Sequence, residues 1–395
     1  MKELLIVKYG EVMLKGNNRP FFVDRLMKNL RSALQGTGKF NIEKDQSVLY
    51  LIPKEQVNLD RAADRVRRVF GVNVFHRAVQ VEKDMEAIKE KSAEYFAPLL
   101  NKSHSFKIDT RRTDKSFSYG TYEINTILGQ HIADSFPHLT VDVHQPEVTI
   151  YISIRKQGAF LYHEKERGPG GLPVGTGGKA TVLLSGGIDS PLAAYLIARR
   201  GLETEAVHFH SYPYTSERSK NKVIDLAKQL SRYTGKLKLH VFPFTEIQEA
   251  IVENCPKDHV TIIMRRMMMK AAEKISQQNG AQALVTGESI GQVASQTVES
   301  LSATNASVSM PVFRPLIGMD KEEIVSYAHK IGTYDISIQP YEDCCTLFVP
   351  RHPQTKPKLE KIIRWEQNVD FDDLIDKGLE ETEIVEAEPD YYMEM

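Results

Sequence analysis

A short glycine-rich segment in the middle of the chain constrains the fold more than any other feature. An apolar run over residues 180–184 predicts a strand, and residues 191–200 have the pattern of a helix. Between them lies Ser185-Gly186-Gly187-Ile188-Asp189-Ser190. Two glycines let the backbone approach an anion closely, and the helix N-terminus adds partial positive charge. The sequence therefore predicts a phosphate site where a strand turns into a helix.

The polar side chains of this segment suit the same purpose. Ser185 and Ser190 carry hydroxyls that can donate to phosphate, and Asp189 either caps the helix or helps to hold Mg²⁺. A glycine turn without a ligand is the alternative, but it does not account for the whole strand, loop and helix pattern. The Lys-Ser/Thr pair of a Walker A loop is absent.

The rest of the C-terminal half alternates between strand and helix patterns. Predicted strands cover residues 205–209, 238–242 and 283–286. Predicted helices cover residues 219–234, 244–253, 261–278 and 292–302. This alternation predicts an α/β domain with a doubly wound parallel sheet, whose ligands bind at the carboxyl ends of the strands.

The N-terminal half has an α+β pattern. Strands at 3–9, 47–52 and 72–81 with helices at 20–34 and 59–69 predict a ferredoxin-like domain over residues 1–75. A second α+β domain is predicted over 76–165. Six glycines and two prolines in residues 167–178 predict a linker or exposed loop. We therefore expect a linker at 166–178 and the parallel-sheet domain at 179–395.

Charge is unevenly distributed along the chain. Residues 366–395 carry twelve acidic side chains and one lysine, whereas the remaining residues carry 50 basic and 40 acidic side chains. A basic body is compatible with a polyanionic partner, but from charge alone a solvated surface with a disordered acidic tail is the favoured interpretation. Three cysteines exclude a disulfide framework and favour a reducing cytoplasm. No stretch has the apolar length of a membrane span.

Three segments together resemble a known family. The Ser-Gly-Gly-x-Asp-Ser segment resembles the PP-loop ATP-pyrophosphatases, and Phe106-Lys107-Ile108-Asp109-Thr110-Arg111-Arg112-Thr113-Asp114-Lys115 looks like part of a THUMP RNA-binding domain. With Asp343-Cys344-Cys345, residues 1–365 resemble the tRNA 4-thiouridine synthetase family. That resemblance implies that ATP adenylates O4 of a tRNA uridine, at position 8, and that sulfur then replaces AMP. It also implies sulfur transfer to a carrier protein for thiamine synthesis.

The resemblance implies roles for individual residues in an ATP site. The implied positions are Leu183, Leu184, Ser185, Gly186, Gly187, Asp189, Ser190, His208, Phe209, Arg265, Gly287 and Gln296. Without the resemblance, His208 and Phe209 would be core residues at the end of a strand, and Gln296 an ordinary polar position on a helix. Arg266 and the neighbouring methionines are expected to be solvated or to fill the core.

Cys344 is the implied sulfur-carrying thiol, because a thiolate or persulfide can displace AMP from an adenylated base. Cys345 is either its resolving partner or a bystander, and Cys255 is expected to be buried and unreactive. The absence of any Cys-x-x-Cys argues against a metal cluster. Longer members of the family carry a rhodanese domain with its own cysteine. No cysteine follows Cys345, so we expect a separate cysteine desulfurase to donate the persulfide.

The tRNA contacts are expected on Arg111, Arg112 and Lys115, in a polar loop where Phe117, Tyr119 and Tyr122 are interleaved. Cations for phosphates and rings for stacking suit structured RNA. A merely solvated loop is the alternative. The family further suggests a homodimer.

Two other functions compete with tRNA thiolation. A small-molecule PP-loop ligase would use the same phosphate site, but residues 1–165 do not resemble a glutamine amidotransferase. A non-catalytic tRNA-binding protein would keep ATP as a structural ligand, which leaves Asp189 and Cys344 unexplained.

Overall fold

The computed structural model describes residues 1–293, 295–341 and 354–389. The chain divides into two compact units. The first comprises Met1–Arg19 and Leu30–Gly170, and the second comprises Pro20–Asn29 and the residues from Gly171 onward.

The N-terminal unit contains most of the predicted α+β elements. Its strands and helices are β1 (Lys2–Tyr9), α1 (Arg19–Ala33), β2 (Phe40–Asp45), β3 (Val48–Pro53), α2 (Leu59–Val66), β4 (Val72–Val81), α3 (Met85–Leu100), β5 (Ser105–Arg112), α4 (Thr121–Ser135), β6 (Thr140–Val141), β7 (Val148–Arg155), β8 (Gly158–Tyr162) and β9 (Glu166–Arg167). Helix α1 is included here, although its middle residues, Pro20–Asn29, group with the second unit.

These nine strands of the described chain form one sheet in the order β2-β3-β1-β4-β8-β7-β5-β6, with β9 paired to β4. The β2-β3-β1-β4 part has the strand order of a ferredoxin-like fold, as predicted. Strand β4 passes through the expected boundary at residue 75 and pairs with β1 on one side and β8 on the other. The two predicted domains therefore share a continuous sheet.

The glycine-rich segment after β9 packs closely against neighbouring backbone. Gly168 and Gly170 donate backbone hydrogen bonds to Asn73 and Val72, and a Cβ on Gly168 would collide with the Val72 carbonyl. Beyond Gly171, the N–H groups of Gly175, Thr176 and Gly177 all donate to the Gly201 carbonyl, each at 2.9 Å. The glycines thus permit close backbone contacts.

The second unit continues the strand and helix alternation. Its elements are β10 (Lys179–Leu183), α5 (Asp189–Arg199), β11 (Glu203–His210), α6 (Glu217–Thr234), β12 (Leu237–Pro243), α7 (Thr245–Asn254), α8 (Val260–Gln278), β13 (Leu284–Val285), α9 (Val298–Asn305), β14 (Val312–Phe313), α10 (Lys321–Ile331), α11 (Tyr334–Ser337), α12 (Leu359–Glu366), α13 (Phe371–Glu380) and β15 (Glu383–Ala387).

The second sheet has the order β14-β13-β10-β11-β12-β15, and all its pairings are parallel except that of β15. The predicted doubly wound sheet is confirmed. Helix α8 supplies much of the core on one face, where Met264, Met267 and Met268 are buried with Phe242. Since parallel strands end at the same edge, the loops after β10, β11 and β13 are neighbours.

The acidic C-terminal segment is part of this fold, so its interpretation as a disordered tail is wrong for residues 366–389. Strand β15 adds an antiparallel edge to β12, and Lys274 binds Asp376 at 2.7 Å. Arg266 is buried, not solvated. Its guanidinium binds the buried Glu366 carboxylate through two nitrogens and also donates to the Ala303 carbonyl.

The predicted helix at 292–302 begins six residues later, at Val298. The Thr297 hydroxyl accepts the Ser300 N–H at 3.1 Å and fixes this start. Before it, the Gln296 N–H donates to the Val293 carbonyl in a turn. Gln296 therefore lies in a loop and not on the predicted helix. The apolar spacing of residues 292–302 carries no information about the cap, so it predicts too early a start for the helix.

We predict that Glu366→Ala lowers the free energy of unfolding of the second unit by about 3–5 kcal/mol, because it leaves the buried Arg266 unpaired. Urea unfolding followed by the fluorescence of Trp365, the single tryptophan, measures this directly. Lys377→Ala breaks only an exposed pair with Glu246 and should leave the midpoint unchanged. A Glu366→Ala midpoint equal to wild type would contradict the anchoring role.

Candidate active site and RNA-facing surface

Residues 185–190, called the PP-loop from here on, lie between the end of β10 and the first turn of α5, as predicted. The Ser185 N–H donates to Ser190 Oγ at 2.8 Å, and the two serine hydroxyls are 3.0 Å apart. The Gly187 N–H donates to Ser185 Oγ at 3.4 Å. The serines thus hold the loop in shape, and Ser190, at 4% exposure, is mainly a structural member of it.

Gly287 lies against the first turn of α5. A Cβ at this position would be 2.7 Å from the Ser190 nitrogen and 2.8 Å from the Asp189 carbonyl carbon. Real Cβ atoms do not come so close to backbone atoms, so only glycine fits. The glycine was expected to face a ligand; the structure shows that it lets the loop after β13 contact the PP-loop helix.

The Asp189 carboxylate is held by two side chains that sequence reasoning missed. Gln292 Nε2 donates to Oδ2 at 3.0 Å, and Lys321 Nζ lies 3.3 Å from Oδ1. Lys321 is the first residue of α10, which starts with a capping box formed by Asp320 and Glu323. That capping signal was present in the sequence and would have predicted the helix, but not its position beside the PP-loop.

The loop after β13 also carries a buried carboxylate, that of Glu288. Glu288 binds the guanidinium of Arg265 and, at 2.7 Å, Nε of Arg314. Burial raises the pKa of Glu288, but the two guanidiniums outweigh burial and lower the pKa overall. Arg265 also donates to the Ser295 carbonyl at 3.0 Å. Arg265 therefore has protein partners, and neither Glu288 nor Arg314 was predicted.

Gln296 is 9% exposed, and its Oε1 has no hydrogen-bond partner among residues 1–293, 295–341 and 354–389. Buried acceptors are normally satisfied, so this atom is available to a bound ligand. The oxygen belongs to the same loop as Gly287, Glu288 and Gln292. The described residues of this loop, 286–293 and 295–297, bring together the groups beside the PP-loop.

The ends of β10 and β11 contribute backbone more than side chains. The His208 ring donates from Nδ1 to the Leu184 carbonyl at 3.2 Å. Phe209 points into the core, with its ring 5.5 Å from Phe242 and 5.3 Å from Phe244. Leu183 packs against that same core. The structure thus supports core packing for Phe209 and Leu183, and a fixed position for His208 beside the PP-loop strand.

In the N-terminal unit, basic groups gather on one face of the sheet. Burial, together with Arg155, Lys165 and Arg111, lowers the pKa of Lys8 to about 8. Lys165 Nζ lies 3.4 Å from the centre of the Tyr151 ring, which stacks on Tyr162. This combination of cations and aromatic rings suits RNA.

The expected RNA-binding trio is divided between two environments. Arg111 and Arg112 are the last residues of β5, not members of a loop as predicted. Arg112 donates to the Phe117 and Tyr119 carbonyls, each at 2.9 Å, so it braces the following loop. Arg111 and Lys115 are exposed.

The sequence matches three families along its length. Residues 4–75 match the ThiI ferredoxin-like domain, 82–164 the THUMP domain and 175–371 the thiamine biosynthesis protein (ThiI) family. The chain is 52% identical to a probable tRNA sulfurtransferase of Caldanaerobacter subterraneus subsp. tengcongensis, over 96% of this chain and 99% of the relative. A probable tRNA sulfurtransferase of Acetivibrio thermocellus is 50% identical, over 98% and 99%.

The chain belongs to the tRNA sulfurtransferase family. A solved structure of a 4-thiouridine synthetase–RNA complex with bound ATP has a TM-score of 0.91 at 37% identity, covering 98% of this chain and 100% of the other. Family membership confirms the predicted fold and enzyme class, and it favours a tRNA-modifying sulfurtransferase over both alternatives.

The structure describes one of the three cysteines of this sulfurtransferase. Cys344 and its neighbour Cys345 lie outside the described residues. Cys255 is buried, and burial together with Glu366 raises the pKa of its thiol to about 11, as suits an unreactive cysteine.

Within the described ranges, no three or more His, Cys, Asp or Glu side chains are grouped to hold a metal. No helix in the described part of the chain is long and apolar enough to cross a membrane.

We predict that Gly287→Ala weakens ATP binding at least about tenfold, because the new methyl group pushes the loop after β13 away from the first turn of α5. Gly318→Ala is the matched control, since a Cβ there would meet no atom within 4 Å. Calorimetric titration with ATP distinguishes the two variants. Equal affinities would show that the Gly287 contact does not shape the nucleotide site.

Proposed function

We propose that this protein converts a uridine of tRNA, at position 8, to 4-thiouridine. ATP adenylates O4 of the base with release of pyrophosphate, and sulfur then replaces O4 with release of AMP. The observation that carries the proposal is the PP-loop with Asp189, Lys321 and Gln292 gathered at the start of α5. The relatives supply the choice of substrate.

The first step needs an anion site with balancing charge. The N–H groups of the PP-loop and the N-terminus of α5 bind the phosphates that leave as pyrophosphate. Lys321, 52% exposed, can turn from Asp189 to a phosphate oxygen. Asp189 would then be released to hold Mg²⁺, an ion that typically takes one or two carboxylates together with phosphate oxygens. Bound Mg²⁺ would neutralise phosphate charge.

The loop of residues 286–297 would hold the nucleoside part of ATP. Gln296 Oε1 is a buried acceptor that suits an amino group such as that of adenine. Arg265 is held at this loop by Glu288 and Ser295, with its side chain 18% exposed. We therefore assign Arg265 a positioning role, acting through the loop.

The second step needs a sulfur atom beside C4. A persulfide on Cys344, supplied by a cysteine desulfurase, attacks C4 and expels AMP. A second thiol, that of Cys345 or of the donor, then attacks the inner sulfur, which leaves sulfur on the base and a protein disulfide. We further propose the reducing cytoplasm as the compartment, a homodimer as the assembly, and a thiamine sulfur-carrier protein as a second acceptor.

Binding of the tRNA is proposed to use the basic face of the N-terminal unit. Arg111 and Lys115 are exposed, and Lys8 and Lys165 lie over the rings of the stacked Tyr162 and Tyr151. Arg112 donates from one guanidinium nitrogen to the Phe117 and Tyr119 carbonyls, so its part in this proposal is to brace the loop that carries Lys115.

The two steps should separate in a Cys344→Ser variant. We expect it to lose thiolation with a desulfurase as donor but to keep tRNA-dependent pyrophosphate release, because the PP-loop is intact. Asp189→Ala should lose pyrophosphate release, and Cys255→Ala is the control that should keep both. High sulfide should restore 4-thiouridine to Cys344→Ser, since sulfide attacks the adenylate directly.

Mass spectrometry of tRNA nucleosides and a pyrophosphate assay give the two readouts. Thiolation at the normal rate by Cys344→Ser, with loss in Cys345→Ser, would assign the sulfur to Cys345. Pyrophosphate release by Asp189→Ala at the wild-type rate would contradict the adenylation site itself.

A further inference from the structure

Two exposed tyrosines stand on the loop next to the PP-loop. Residues 211–215 follow β11, which pairs with β10 in parallel, so the two loops leave the same edge of the sheet. Tyr212 is 64% exposed and Tyr214 is 45% exposed. On the other side of β10, the loop after β13 exposes Ile290 and Val293. Apolar side chains therefore flank the PP-loop from both neighbouring strands.

Hydrogen bonds hold the tyrosine loop in one conformation. The Ser211 N–H donates to Thr215 Oγ1 at 3.0 Å, and the Thr215 N–H returns to the Ser211 carbonyl at 2.8 Å. The Thr245 hydroxyl donates to the Tyr212 carbonyl at 2.8 Å. The Tyr214 hydroxyl donates to Glu249 at 2.9 Å. An aromatic ring is thus presented to solvent from a fixed backbone.

Two buried polar groups lie at the base of this loop. Burial lowers the pKa of His210, and the charges of Glu217, Lys220 and Glu383 act on the same ring. His210 Nε2 and the Ser211 hydroxyl are buried and have no hydrogen-bond partner in the parts of the chain that the structure describes. Residues 211–215 contain no lysine or arginine. Aromatic rings beside unpartnered hydrogen-bonding groups suit a nucleobase, whereas a loop that binds phosphate would carry cations of its own.

Adenylation at O4 requires a base that has left the tRNA stack, because a stacked and paired base cannot reach a protein site. An extruded base loses its stacking partners, and an aromatic side chain restores one of them. We propose that the ring of Tyr212 stacks on the target uracil and holds its O4 toward the PP-loop. This inference rests on the proposed function. Tyr214, tied to Glu249, braces the loop.

Removing the ring tests the proposal. Tyr212→Leu should lower kcat/KM for tRNA by about 5- to 150-fold, the range expected for one lost base–aromatic stack. Tyr212→Phe keeps the ring and should stay within about twofold of wild type. ATP affinity and Tm should not change in either variant. Ile384→Ala, at an exposed apolar position on β15, is the control for loss of surface area.

Tyr212→Leu with wild-type kcat/KM would overturn the inference and leave the proposed function intact. Failure of the wild-type protein to make 4-thiouridine would instead overturn the proposed function. A second measurement needs no variant, because the 4-thiouracil product is photoreactive. Near-ultraviolet irradiation of product tRNA bound to wild-type protein should give adducts within residues 211–215, and adducts confined to other peptides would contradict stacking at Tyr212.

Discussion

The active-site region depends on the contact between Gly287 and the first turn of α5. This contact lets residues 286–297 lie directly against the PP-loop helix, where a side chain would force them apart. The same loop carries four other groups of the candidate site. Glu288 binds Arg265 and Arg314, Gln292 reaches Asp189, the Ser295 carbonyl fixes Arg265, and Gln296 presents a buried oxygen. One glycine thus permits the contact between the loop after β13 and the first turn of α5.

Ion pairs in the second unit divide into structural and functional kinds. Arg266 and Glu366 are both buried and paired through two nitrogens, which joins α12 to the core. The pair between Lys321 and Asp189 is partly exposed and single, which suits the exchange of partners in the proposed phosphate binding. The difference in burial explains why the first pair anchors the fold and the second is suited to chemistry.

Local patterns predicted what depends on neighbouring residues in the chain. The Ser185–Ser190 segment, the parallel strands around it and the ferredoxin-like start all have local signatures. Partnerships between distant residues had none: Lys321 is 132 positions from Asp189, and Glu366 is 100 positions from Arg266. The acidic segment was misjudged for the same reason, because its charges pair with Lys274 and Arg266 of α8. The apolar spacing predicts Gln296 on a helix because it does not show where α9 begins. The Thr297 cap marks that start.

In the proposed reaction, O4 of the tRNA uridine becomes a phosphate oxygen of AMP. A tRNA carrying ¹⁸O at C4 of the target uridine tests this claim most directly. After reaction with unlabelled ATP and a sulfur donor, mass spectrometry of the released AMP should find one ¹⁸O for each 4-thiouridine formed. Unlabelled AMP alongside 4-thiouridine would show that the oxygen leaves without adenylation and would contradict the account.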